Sequence, residues 1–160
     1  MSFKNQHFQT QAVYVEPLHL ASVGTHLSCE LSLADFSRLK DQLSDKEGVV
    51  KIALKFAKDQ AYISYVKGVI STCLPLICQR CLERIDYPLE FSISLSPVLT
   101  PEAIKTLPSC YEPLLLKEDK ISLVALIEEE LLLNLPFAPK HTEGECAAFF
   151  QKIRKEKNQS

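Results

Sequence analysis

The chain has 160 residues, with 18 Lys+Arg against 20 Asp+Glu and a formal net charge of −2. That length suits one domain with a core of its own, and 46% hydrophobic residues exclude a disordered chain. The near-neutral balance excludes a strongly basic nucleic-acid coat, whose affinity rests on many phosphate contacts, and leaves room for a local basic patch.

Residues 1–12 are polar and are expected to fray. They show no charged segment leading into an apolar run, so no secretory leader is expected. Residues 13–15 start a strand that Pro17 stops. Leu27, Cys29 and Leu31 alternate with Ser28, Glu30 and Ser32, as in a short strand. The period then changes: Leu33, Phe36, Leu39 and Leu43 share one helical face. A helix near 33–44 is predicted, with Ser32 as its N-cap and Asp35 in its first turn.

Three alternating segments follow, at about 49–57, 61–76 and 85–95, and read as an antiparallel β meander with one dry and one wet face. Residues 58–60 form the first turn. Gly68 suggests a bulge, and Pro88, which cannot donate to a ladder, suggests an edge or bulge. Residues 111–116 make a last short strand. A long apolar helix is predicted near 121–135, capped by Ser122 and ended by Pro136. It is shorter than the roughly 20 residues a membrane span needs, and its apolar faces require burial or a covering partner. The expected architecture is one α+β domain over residues 1–150, followed by a basic, flexible tail at 151–160.

Of six cysteines, Cys29, Cys73 and Cys110 stand alone and are expected to be small buried hydrophobes in the core. Cys78 and Cys81 form CQRC, a spacing that in a tight turn sets two thiolates about 2.3 Å from one metal ion. His141 and Cys146, in PKHTEGEC, complete a Cys₃His set for a structural zinc. The plain alternative is a pair of reduced thiols in a turn. A redox CxxC opens a helix, whereas here a period-two run follows, so a thiol oxidoreductase is the weaker reading. The chain has four glycines and no phosphate-cradling loop, no G-x-S-x-G and no H-E-x-x-H. Glu128, Glu129 and Glu130 are consecutive, so they turn about 100° apart around a helix and form no acid–base pair.

Charge is unevenly placed. Residues 46–84 hold seven basic side chains against three acids, and residues 101–145 hold four against nine. Lys51 and Lys55 fall on the wet face of their strand, and Arg80 and Arg84 flank the cysteine turn. These four are the candidate contacts for RNA phosphates or a partner; an ordinary solvated sheet face is the bland alternative.

The segments CQRCLERIDYPLEFSISLSPV, LPSCYEPLLL and ISLVALIEEELLLNLPFAPKH, with a cysteine after them, resemble the large ribosomal RNA subunit accumulation protein family (YceD-like proteins) over about residues 48–146. The resemblance implies a bacterial, cytoplasmic, non-enzymatic factor supporting synthesis, processing or stability of 23S ribosomal RNA, with no catalytic residues, no small-molecule substrate and no membrane. Its partners would be ribosomal RNA or a precursor large subunit, reached directly or through a protein. The alternative is a protein-interaction module acting on assembly indirectly. Some relatives carry several cysteines, including a second CxxC, after L-P-x-x-P. This chain has only His141 and Cys146 there, which would turn a four-cysteine site into Cys₃His.

Overall fold

A computed structural model describes residues 2–7 and 14–139. In chain order the elements are β1 (Ser2–His7), β2 (Tyr14–Val15), α1 (Pro17–Val23), β3 (Thr25–Ser32), two 3₁₀ turns (Leu33–Asp35 and Leu39–Gln42), β4 (Val49–Lys58), β5 (Ser64–Ile77), β6 (Arg84–Val98), α2 (Pro101–Lys105), β7 (Glu112–Leu115), β8 (Ile121–Ser122) and α3 (Leu123–Leu133). One six-stranded sheet has the order β1-β3-β4-β5-β6-β7, and β2 pairs with β8. The class is α+β. Among the described residues no helix is long and apolar enough to cross a membrane.

The predicted meander is present: β4, β5 and β6 pair antiparallel in that order, and β3 joins β4 antiparallel. Alternation is the cause. Val50, Ile52, Leu54 and Phe56 are buried, while Lys51, Ala53 and Lys55 face out. Val66, Ile70 and Leu74 continue the dry face on β5. On the dry face α1 packs against β4 and β5 with Ala21 buried, and Leu33, Phe36 and Leu39 from the 3₁₀ segment and Leu123, Ile127 and Leu131 from α3 join the same core.

Four expectations need correction. Ser2–His7 is not a frayed end but a strand, parallel to β3. The helix near 33–44 is absent; two 3₁₀ turns stand there, joined by extended Phe36. The apolar stripe was correctly read, since Leu33, Phe36 and Leu39 are all buried. What stops the helix is tertiary: the Arg38 and Leu39 N–H groups donate to the Glu128 carboxylate, at 2.9 and 3.3 Å. Ser32 still caps, accepting from the Ala34 N–H.

The long apolar helix at 121–135 is α3, only eleven residues long, because residues 121–122 belong to β8. It is not apolar all round. Glu128 is buried and bound to Arg38, and Glu129 meets Arg38 at 3.0 Å. Ser122 caps it as expected, accepting from the Ala125 N–H. Asn134 closes it with a side-chain bond to the Glu130 carbonyl.

Gly68 marks no bulge: it pairs in unbroken register with Leu54 and Ile93. A Cβ there would lie 2.1 Å from the Ala53 carbonyl oxygen, so glycine permits the close approach. Among the described residues Pro88 sits where β6 has β5 on one side and no ladder on the other, since β7 pairs with Leu95–Val98 alone. The tail at 151–160 lies outside the described residues.

Candidate nucleic-acid interface

The wet face of the sheet is built from the side chains that alternate away from the core, and strand register sets them in rows. One row runs His26, Lys55, Lys67 and Ser94 across β3 to β6. The next holds small side chains, Ser28, Ala53, Val69 and Ser92. The third is mixed: Glu30, Lys51, Ser71 and Glu90. A shallow depression of about 270 Å³ spans the second and third rows on β3, β4 and β5.

Lys55 directly opposite Lys67 is an unfavourable arrangement by itself, because like charges on facing strands repel. Part of that cost is offset locally. The Lys67 Nζ lies 4.9 Å from the Tyr65 ring centre and 5.3 Å from that of Tyr111, close enough for cation–π attraction. The two rings are stacked with centroids 6.0 Å apart. Tyr111 is anchored in turn: its hydroxyl donates to Asp59 Oδ2 at 2.7 Å. Burial, then that bond, push the Tyr111 hydroxyl up to about 12. N–H bonds from Ile63, then the Tyr111 hydroxyl, hold the Asp59 carboxyl below its ordinary value.

The four sequence-predicted contacts divide. Lys51 and Lys55 share the wet face, about 13 Å apart along β4. Lys51 stands opposite Glu30, whereas Lys55 stands opposite Lys67. Arg80 and Arg84 lie at the other end, beyond the six steps along β5 from Ser71 to Ile77, or about 20 Å. Arg84 is engaged there with Asp45 and Asp86, both at 3.1 Å. Lys67, Tyr65 and Tyr111 were not singled out as site residues. Cross-strand register is the signal that finds Lys67.

Cys78 and Cys81 sit in the turn between β5 and β6, both buried. The turn leads into β6 rather than a helix, so the thiols lack the helix-end setting of a redox CxxC. Among the described residues no group of three or more His, Cys, Asp or Glu gathers to hold a metal. His141 and Cys146 lie outside the described residues. Cys29 is buried on the dry face of β3 and its thiol is raised to about 11 by burial and then by Glu30, so it is not activated as a nucleophile. Cys73 and Cys110 are exposed, against the expectation that all three lone cysteines are buried.

The fold is thus an α+β sheet with one dry face, one basic row and a buried cysteine turn. Its family is set by comparison: the profile described as "Large ribosomal RNA subunit accumulation protein YceD" matches residues 66–160. The chain belongs to this family. It is 32% identical over 110 residues to the large ribosomal RNA subunit accumulation protein YceD of Haemophilus influenzae. The match covers 68% of this chain and 63% of that relative's length. No solved structure matches the chain.

Proposed function

We propose that this chain is a non-enzymatic ribosome-biogenesis factor, acting in the bacterial cytoplasm, that supports accumulation of 23S ribosomal RNA. The wet face binds the RNA directly, with Lys55 and Lys67 on phosphates and the row of small side chains beneath the strand. The relative's name supplies the process. The observation carrying the contact is the Lys55–Lys67 pair: two cations held side by side repel until an anion lies between them. Stacked Tyr65 and Tyr111 hold one of the two in place.

The test is binding of large-subunit precursor RNA fragments across a salt series. Lys55→Ala with Lys67→Ala is expected to weaken binding about tenfold and to reduce the slope of log affinity against log salt by about 1.4–1.8, for two phosphate contacts. Arg84→Ala is expected to change little, because its charge is spent on Asp45 and Asp86. Unchanged affinity in the double variant overturns direct contact through this face and favours the protein-mediated reading, for which exposed Leu133 at the end of α3 and Phe137 beyond it are the surface to examine.

A further inference from the structure

We propose that Tyr62, at the tip of the β4–β5 turn, stacks on an unpaired base, so that the RNA on this sheet is single-stranded where it crosses the turn. The inference rests on RNA contact by Lys55 and Lys67 and specifies the form of the ligand. It begins with a residue that folding does not account for. Tyr62 is 84% exposed and adopts φ 61°, a left-handed conformation costly for a side chain with a Cβ. Glycine or asparagine would occupy the position at lower cost. The ring recovers little of that cost by burial, and observed strain of this kind points to function.

The turn fixes the backbone that carries the ring. Asp59 Oδ1 accepts from the Ala61 N–H at 2.8 Å and from the Ile63 N–H at 3.0 Å. The Tyr62 N–H itself donates to the Asp59 carbonyl at 3.0 Å. Three consecutive amides are thus bound to one residue. A ring presented this way loses little conformational freedom when a ligand meets it.

Position joins the ring to the lysine pair. The β4–β5 ladder ends at Lys58–Ser64, three steps or about 10 Å from Lys55–Lys67. Exposed Lys58 lies between the pair and the tip. Asp59 ties the turn to the same surface, since its Oδ2 accepts from Tyr111, over whose ring the Lys67 Nζ lies at 5.3 Å. Tyr65 and Tyr111 are committed to each other and to Lys67. Tyr62 is the ring left exposed at this end. Cations that take phosphates beside an aromatic face that takes a base are the means by which proteins hold single strands.

Charge decides which part of a nucleotide meets the ring. The Asp59 carboxylate beside Tyr62 disfavours a phosphate there, whereas a base is uncharged and presents a π face. In a duplex that face is already stacked on its neighbours, so an unpaired base is required.

The experiment measures binding of the full chain to a short mixed-sequence single-stranded RNA and to the same strand annealed to its complement. Tyr62→Ala is expected to weaken single-strand binding about tenfold, as loss of one base–aromatic stack does. The slope of log affinity against log salt should not change, because no charge is removed. Duplex binding should be unaffected. Tyr62→Phe keeps the ring and should bind the single strand nearly as wild type does. The chain has no tryptophan, so Tyr62→Trp carries a single emitter, which the single strand should quench and the duplex should not. Circular dichroism checks that each variant is folded. Wild-type affinity in Tyr62→Ala, equal losses with both RNAs, or an unquenched Tyr62→Trp complex overturns the stack. Two failures are distinguishable. Wild-type affinity in Lys55→Ala with Lys67→Ala overturns the phosphate contact on which the stack rests. A weakened lysine variant beside an unaffected Tyr62→Ala overturns the stack alone.

Discussion

Two turns close the two ends of β5, and each holds a non-glycine residue at positive φ, Tyr62 at 61° and Leu82 at 62°. The first turn is stabilised by its own polar chemistry. The Asp59 carboxylate accepts from the Ala61 and Ile63 N–H groups and from the Tyr111 hydroxyl. The second turn instead buries two thiols and leaves leucine in water. Similar backbone strain thus accompanies different contents: one carboxylate organises a cationic–aromatic surface, and one pair of thiols is turned into the core.

Asp59→Ala should separate the two turns most strongly, because it removes the acceptor of the Ala61 and Ile63 N–H groups and of the Tyr111 hydroxyl. Hydrogen exchange at the Ala61 and Ile63 amides should speed up by about tenfold or more. The Cys78 and Leu82 amides should stay near their original rates. Equal acceleration at both ends would mean that the sheet melts as one unit and that the contrast is false.

A smaller effect is expected from Tyr111→Phe, which removes the hydroxyl from Asp59. Urea denaturation should show a loss of about 0.5–1.5 kcal/mol. The pH dependence is specific. The hydroxyl's folded value of about 12 lies above the ordinary tyrosine value of about 10, so its contribution is complete below pH 10 and lost as pH rises from 10 towards 12. Tyr111→Phe should decline less than wild type over this range, keeping the alkaline loss due to buried Cys29, whose thiol is raised to about 11. The smallest effect is that of Leu82→Gly and Tyr62→Gly. Each relieves left-handed strain at an exposed position, offset by glycine's greater unfolded entropy, for a net gain of up to about 1 kcal/mol in the same denaturation assay.

The strands were legible because alternation is a local signal: Val50 to Phe56 and Ile85 to Leu95 state their own faces. The 3₁₀ segment was not, because the Glu128 carboxylate that takes its amides lies 90 residues away. Parallel pairing of β1 and β7 likewise depends on distant edges rather than on their own residues. At the site, the outward direction of Lys51 and Lys55 could be read from β4 alone. The pairing of Lys55 with Lys67 needed the register, and the engagement of Arg84 needed Asp45, 39 residues away.

The bond from Glu128 to Arg38 and Leu39 has a consequence for synthesis. The chain emerges amino-terminus first at about 5–20 residues per second. Residues 38–39 therefore wait about 5–18 seconds for the carboxylate that completes their backbone bonding. During that interval Leu33, Phe36 and Leu39 have α1 and the strands β3 to β6 available but not α3. The nascent protein carries an uncovered apolar seam until its last helix arrives.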